Sequence, residues 1–220
     1  MKKLFLALLM MIATASASYA MPDSLTISND TTKKHAQWTD ISFFHINRLD
    51  AKNSTPLIWF NHENDNYFVE SRINFDWSNT AGILIGKTFS KSEKFWITPK
   101  LGILFAGRNT DGYNALSPEC NFGGRIGAFG YFTMNQYAIA IDEHPDFVYQ
   151  YTELRWFIDK HVTLAYATQF YKENWRGSEW WIDGGPAMAV SLGKVYIKPW
   201  MTWDPGHQNR KFIVGVGYKL

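Results

Sequence analysis

The sequence predicts an all-β protein, a closed antiparallel transmembrane β-barrel. From Tyr67 to Leu220, stretches of about ten residues alternate between apolar and polar side chains, which is the pattern of membrane-spanning strands. The connections between these stretches alternate between short and long, as the two ends of such a barrel require. Aromatic residues make up 17% of the chain, and aromatic side chains gather at both membrane interfaces of a barrel.

The first twenty residues have the composition of a secretion signal. Lys2 and Lys3 are followed by an apolar stretch from Leu4 to Ala13 and by small residues up to Ala20. The apolar stretch is too short for a membrane-spanning helix, which needs about twenty residues. The sequence therefore predicts a signal peptide over residues 1–20, removed after Ala20, and a barrel over residues 21–220.

The stretch from Tyr67 to Trp77 shows the alternation most clearly. Val69 and Ile73 fall on one face, and Glu70 and Arg72 fall on the other. In a membrane barrel the apolar face contacts lipid and the charged face lines the lumen. Nine further strands are predicted at 80–89, 95–107, 119–132, 136–143, 147–157, 162–171, 179–192, 194–204 and 210–220. Small residues on the inward face of several of them indicate a narrow lumen.

The segment 21–66 is harder to interpret. Trp38 to Asn47 and Thr55 to His62 are apolar enough to be strands, with an outer loop between them. Counting both gives twelve strands. Ten remain if residues 36–62 do not join the barrel, and either even number is allowed for a bacterial barrel.

Connection lengths orient the predicted strands. The connections expected outside, Arg108 to Pro118, Asp142 to Asp146, Lys172 to Ser178 and Asp204 to Asn209, are mostly long and polar. Those expected at the periplasmic end, near Lys91 to Glu93, Met134-Asn135, Ile158 to Lys160 and Gly193, are short. Short periplasmic turns and longer outer loops are the rule for outer-membrane barrels.

Four motifs are similar to those of small Gram-negative outer-membrane barrel proteins of uncharacterised function. They are Phe68 to Asp76, Gly82 to Phe89, Ile97 to Gly102 and Tyr151 to Leu154, and the likeness covers Tyr67 to Leu220. The resemblance implies the fold and the compartment, and it implies no activity. Such barrels usually end in an aromatic residue, whereas this chain has Tyr218 two positions before a terminal Leu220.

Charged residues recur on the predicted inward face of neighbouring strands. They are Glu70, Arg72, Asp76, Lys100, Arg125, Glu153, Arg155 and Lys198. One interpretation is that they pair as salt bridges across a narrow lumen and hold its shape, since an unpaired charge would be costly there. The other is that they select a small charged solute in a passive pore or line a ligand-binding lumen.

A second hypothesis is enzymatic. Asp142, Glu143, His144, Asp204 and His207 are all expected at the outer rim, where an acid-base cluster could hydrolyse an envelope lipid or peptide if its members lie within hydrogen-bond reach. The six histidines show no metal-ligand spacing, so neither a metal nor another cofactor is expected.

The sequence places the mature chain in the outer membrane of a Gram-negative bacterium. The expected partners are outer-membrane lipids, lipopolysaccharide and the barrel insertion machinery. The formal net charge of +2 is not concentrated in a basic patch, so no nucleic-acid partner is expected.

Overall fold

The structure, a computed structural model, describes residues 38–48, 54–75, 79–92, 94–107, 112–174, 180–203 and 210–220. The predicted signal peptide lies outside these residues. The strands are β1 (Trp38–Arg48), β2 (Ser54–Asn64), β3 (Tyr67–Ile73), β4 (Thr80–Lys87), β5 (Phe89–Ser92), β6 (Phe95–Ala106), β7 (Ala115–Ile126), β8 (Phe129–Ala140), β9 (Phe147–Phe157), β10 (Val162–Glu173), β11 (Trp181–Leu192), β12 (Val195–Trp203) and β13 (Arg210–Lys219). Within the described ranges, no helix is long and apolar enough to cross a bilayer.

The strands form one closed antiparallel ring. Each pairs with its neighbour along the chain, and β1 pairs with β13 from Asp40 opposite Lys219 to Arg48 opposite Lys211. β4 and β5 are two halves of one barrel strand, interrupted at Thr88, and both pair with β6. The barrel therefore has twelve strands. β1 and β2 belong to it, which decides between the predicted twelve and ten.

The two ends of the barrel differ in their connections. At the end that carries Leu220, which we call the turn end, two-residue turns such as Asp65-Asn66 and Gly193-Lys194 join consecutive strands. At the opposite end, the loop end, the connections are longer, such as those between β6 and β7 and between β10 and β11. The predicted alternation of short and long connections is confirmed.

One pair of strands lies elsewhere than predicted. The sequence predicted strands at 119–132 and 136–143 with a turn at Met134-Asn135, but β7 ends at Ile126 and β8 runs from Phe129 to Ala140. The turn is at Gly127-Ala128, where Gly127 has a φ of 60°, a conformation that glycine adopts without steric cost. Met134 and Asn135 lie in the middle of β8.

The two faces of the sheet have different compositions. Large apolar side chains lie on the outer face, where residues such as Ile85 (63% exposed), Ile103 and Leu154 remain exposed. This is the surface that a lipid environment requires. The inner face carries polar and small residues, and Gly217 leaves room for the ring of Tyr196, which a Cβ at that position would overlap. The small inward residues predicted from the sequence thus make space for large side chains in the lumen.

Candidate functional site

Four charged side chains form a sealed group on one wall of the lumen. We call Glu70, Arg72, Lys100 and Glu119 the wall cluster; they come from β3, β6 and β7. Lys100 Nζ lies 2.5 Å from a Glu70 oxygen and also contacts Glu119, and Arg72 pairs with Glu119. All four side chains have an exposure of 0%. Two cations and two carboxylates balance, so the group is neutral.

Hydrogen bonds complete the wall cluster. With its amide oriented to satisfy both ends, Asn121 donates to Glu119 at 2.9 Å and accepts from Lys100 at 2.8 Å. The Arg72 guanidinium also lies 4.9 Å from the centre of the Phe75 ring. A buried ion pair is tolerable only when such bonds replace the lost hydration, so this cluster has the features of a structural tie between strands.

A second charged group, the cavity cluster, consists of Glu153, Arg155 and Lys198. Glu153 accepts hydrogen bonds from Arg155 Nε at 2.6 Å, from Lys198 Nζ at 2.5 Å and from the Tyr151 hydroxyl at 2.9 Å. The Lys198 side chain is 20% exposed, whereas that of Glu153 is 1% exposed. With two cations and one carboxylate, the group carries a net positive charge on its more open side.

The cavity cluster faces a central cavity of about 450 Å³. Its lining runs from Trp38, Glu63 and Lys219 near the turn end to Ile46, Phe75 and Tyr149 further towards the loop end. Most of the lining is aromatic or aliphatic. The cavity therefore extends from the turn end along most of the length of β1 and β9.

Three aromatic rings that line this cavity together cross the lumen. The centre of the Phe75 ring lies 4.9 Å from that of Trp59 and 5.9 Å from that of Tyr149, which it meets edge-on. Trp59 is in β2 and Tyr149 is in β9, six positions away in the ring of twelve strands, so they come from opposite walls. Phe75 follows β3 and joins them. We call Trp59, Phe75 and Tyr149 the aromatic bridge.

The lumen is also filled beyond the aromatic bridge, towards the loop end. Tyr113, from the connection between β6 and β7, is fully buried against Phe147, with ring centres 5.2 Å apart. Phe147 in turn packs against Tyr171 at 5.5 Å. The Tyr113 hydroxyl donates to the carbonyl of Pro145 at 2.9 Å, which ties one loop to the next.

The predicted lumen residues separate into these groups. Glu70, Arg72 and Lys100 belong to the wall cluster, and Glu153, Arg155 and Lys198 form the cavity cluster. Arg125 is near the turn end, donating from Nε to the carbonyl of Gly127 at 2.7 Å and lying over the Phe157 ring. Asp76 lies outside the described residues.

The structure describes three of the five residues of the predicted acid-base cluster, Asp142, Glu143 and His144, of which Glu143 is exposed. Asp142 and His144 lie together in the connection between β8 and β9, with Nδ1 of His144 3.0 Å from an Asp142 oxygen. Partial burial would raise the pKa of Asp142, but hydrogen bonds from the backbone and side chain of both Asn114 and His144 lower it to about 2. These bonds indicate a carboxylate that orders the loops. Asp204 and His207 lie outside the described residues, so the hydrolytic cluster stays a prediction.

Sequence reasoning missed two parts of this site. Glu119 pairs with two cations of the wall cluster, yet it was not among the predicted residues. The alternation of Ser117, Glu119 and Asn121 on one face of β7 is a signal that could have found it. Phe75 was predicted within a strand from Tyr67 to Trp77, on the apolar face with Val69 and Ile73 that was expected to contact lipid. That prediction is wrong, because β3 ends at Ile73 and the alternation does not continue to Phe75, whose ring lines the lumen.

Comparison with known proteins identifies the fold. No protein-family model and no curated protein matches the chain. Among the solved structures that are similar to it are the KdgM porin in complex with disordered oligogalacturonate, with a TM-score of 0.62, and the NanC porin, with a TM-score of 0.64. Their identities to this chain are 12% and 11%; the matches cover 81% and 82% of this chain and 98% and 100% of the porins. The chain shares the closed twelve-strand barrel of these outer-membrane porins.

Proposed function

We propose that this protein is a narrow passive pore for small solutes in the outer membrane of a Gram-negative bacterium. The observation that carries the proposal is the central cavity, which extends into a closed barrel from its turn end and is crossed by the aromatic bridge. The apolar outer face suits the barrel to a bilayer, and the similar folds of the KdgM and NanC porins support the assignment.

The aromatic bridge is the constriction of this pore. Its central ring, Phe75, belongs to a connection at the loop end and not to a strand, so it can leave the lumen without breaking the barrel wall. Charged side chains of both signs line the cavity: the acids are Asp40, Glu63 and Glu153, and the bases are Arg155, Lys198 and Lys219. Because their formal charges balance, we expect little overall preference between small anions and cations, and the cavity cluster supplies the positive side of that balance.

Planar-bilayer recording tests the proposal. Phe75→Ala removes the central ring and is expected to raise the single-channel conductance severalfold over the unsubstituted protein, because the constriction widens. The matched control is Phe43→Ala, the same deletion on the outer face, where Phe43 is 47% exposed; it should leave the conductance unchanged.

The outcomes separate the alternatives. If neither the unsubstituted barrel nor Phe75→Ala conducts, although both fold, the pore assignment is wrong and a structural or ligand-binding role takes its place. If both conduct equally, the protein is a pore but its constriction lies elsewhere.

A further inference from the structure

Four aromatic side chains form a continuous surface along one side of the central cavity. The centre of the Phe132 ring lies 5.9 Å from that of Trp96 and 6.0 Å from that of Tyr151. Tyr151 in turn lies 5.3 Å from Trp200. All four residues line the cavity, and Trp96, Tyr151 and Trp200 are each at most 8% exposed. We call these four residues the aromatic wall. Because its rings pack on one another, they hold an apolar surface in place.

The cavity cluster lies directly against the aromatic wall. The Arg155 guanidinium is 5.4 Å from the centre of the Phe132 ring, and Lys198 Nζ is 5.8 Å from the centre of the Tyr151 ring. The Tyr151 hydroxyl donates to Glu153 at 2.9 Å and accepts from Lys198 at 3.4 Å. Charged and aromatic groups are therefore close enough for one small molecule to contact both.

One positive charge of the cavity cluster has no carboxylate of its own. Glu153 is shared between Arg155 and Lys198. Asp40 and Glu63 also line the cavity, but among the described residues neither forms an ion pair with Lys198. An unbalanced charge in a mostly apolar cavity costs free energy, and a bound anion would remove that cost.

Lys198 has a hydrogen-bond donor available for such an anion. An ammonium group has three N–H donors. Two of them serve Glu153, at 2.5 Å, and the Tyr151 hydroxyl, at 3.4 Å, and the third has no acceptor among the described residues. The Lys198 side chain is 20% exposed and lines the cavity. It can therefore donate to a solute without giving up Glu153.

We propose that the cavity binds a small aromatic carboxylate, with the carboxylate at Lys198 and the ring against the aromatic wall. The carboxylate accepts the third N–H of Lys198 and balances the excess positive charge. The ring packs edge-on or offset against the aromatic side chains. A cavity of about 450 Å³ with a mostly apolar lining and a few polar groups has the character of a small-molecule site. The proposal rests on the proposed function, since it names the solute of that pore.

Other classes of solute fit this site less well. A sugar acid or an inorganic ion would exchange its hydration for aromatic rings that replace few of its hydrogen bonds. An uncharged aromatic molecule would leave the excess charge of the cavity cluster unbalanced, and an aromatic cation would add to it.

Calorimetric titration of the folded barrel in a non-ionic detergent tests the proposal with four probes. Phenylpropionate has both the ring and the carboxylate. Phenylpropionamide and phenylpropylamine keep the ring but remove or reverse the charge, and glucuronate keeps the carboxylate on a hydrophilic body. We expect phenylpropionate to bind about tenfold or more tightly than each of the others, the scale of one hydrogen bond to a charged group or of one buried ring. Detergent without protein is the blank.

Matched variants locate the carboxylate. Lys198→Met should lower the affinity for phenylpropionate roughly tenfold and that for phenylpropionamide much less, because only the first carries a charge. Lys194→Met is the control, the same substitution at the exposed turn between β11 and β12, and it should change neither affinity. Lys198→Arg keeps the positive charge and should retain most of the affinity for phenylpropionate.

A second pair of variants locates the ring. Phe132→Leu removes one ring of the aromatic wall and should weaken the binding of phenylpropionate and phenylpropionamide alike. Phe129→Leu, on the outer face where Phe129 is 64% exposed, should weaken neither. Heat-modifiable gel mobility checks that each variant is folded.

Several results would overturn the proposal. They are an absence of phenylpropionate binding, equally tight binding of phenylpropionamide or glucuronate, and an affinity that Lys198→Met leaves unchanged or that Lys194→Met lowers as much. Binding is measured at equilibrium without a bilayer, so it is separate from conductance. A barrel that conducts but fails these tests keeps the pore assignment and loses the solute class, and one that passes them without conducting keeps the site and loses the pore.

Discussion

The wall cluster and the cavity cluster are made of the same side-chain types, yet they differ in balance and in access. In the wall cluster, two cations meet two carboxylates at 0% exposure, and Asn121 hydrogen-bonds to both Glu119 and Lys100. In the cavity cluster, one carboxylate holds two cations, and Lys198 is partly open to the cavity. From this comparison we infer that an inward charge in this barrel is structural when it is balanced and sealed, and we expect it to be available to a solute when it is partly exposed.

The largest expected effect comes from breaking the balance of the wall cluster. Glu119→Gln keeps the shape of the side chain but leaves Arg72 and Lys100 with one carboxylate between them. We expect the free energy of unfolding to fall by about 3–5 kcal/mol, because an uncompensated charge stays buried. Urea unfolding in lipid vesicles measures it.

A double variant sharpens this test. Arg72→Met combined with Glu119→Gln removes one cation together with one carboxylate, so it should cost less than the sum of the two single variants. Additive losses would contradict the assignment of the wall cluster as one coupled unit.

A smaller loss of stability is expected when the Tyr151 hydroxyl, which hydrogen-bonds to Glu153 of the cavity cluster, is removed. Tyr151→Phe removes the hydrogen bond to Glu153, which keeps both of its cations. The expected fall in the free energy of unfolding is about 1.5 kcal/mol, the scale of a hydrogen bond to a charged group. Tyr166→Phe, at a hydroxyl on the outer face, is the matched control. A loss as large as that of Glu119→Gln would mean that the cavity cluster is also a structural tie.

Lys198→Met should change selectivity more than stability. Glu153 keeps its bond to Arg155 after the substitution, so the loss of stability should be smaller than that of Glu119→Gln. Removing the Lys198 charge leaves acidic side chains in excess along the cavity, so the permeability should shift towards cations. The ratio of anion to cation permeability, from reversal potentials under a salt gradient, measures this. A higher anion preference after the substitution would contradict the role of the cavity cluster.

The smallest effect is expected at the loop end, where Asp142 is accessible to protons. Its pKa of about 2 in the folded protein is below the ordinary value of about 3.9, so its contribution to stability is present above about pH 4 and is lost as the pH falls through 2. Melting temperatures of the unsubstituted protein and of Asp142→Asn should therefore converge as the pH falls from 4 to 2. If the difference between the two melting temperatures stays constant from pH 4 to pH 2, Asp142 has no such role.

Much of the barrel was predictable because its pattern is local. Alternation with period two and the lengths of connections can be counted along the chain, and they predicted a closed barrel with short connections at one end and longer ones at the other. The error at β7 and β8 has a physical reason. Asn135 is a polar residue on the outer face and breaks the alternation, so the run Met134-Asn135-Gln136 resembles a turn. Gly127 was the better turn signal.

The arrangement of the lumen was less predictable because it depends on distant contacts. Parity assigned Glu70 and Glu153 to the same inward face, but the alternation of a strand does not say which cations a carboxylate will meet across the barrel. Phe75 and Tyr149 are far apart in sequence and touch only because the ring closes. The division into a sealed cluster and an open cluster therefore requires the folded structure.

Pairing β1 with β13, which forms the seam that closes the barrel, is a different step of assembly from pairing strands that follow one another in the chain. Every other neighbouring pair in the ring joins segments close together in the chain, so it can form as a local hairpin. The seam joins the two extremes of the barrel, up to the bond from Leu220 N–H to the carbonyl of Thr39 at 2.9 Å. Until it forms, the sheet is a ribbon with two unpaired edges, each able to accept a strand from another chain. Weakening the seam should thus slow closure and favour entangled chains, even where the finished barrel is nearly as stable.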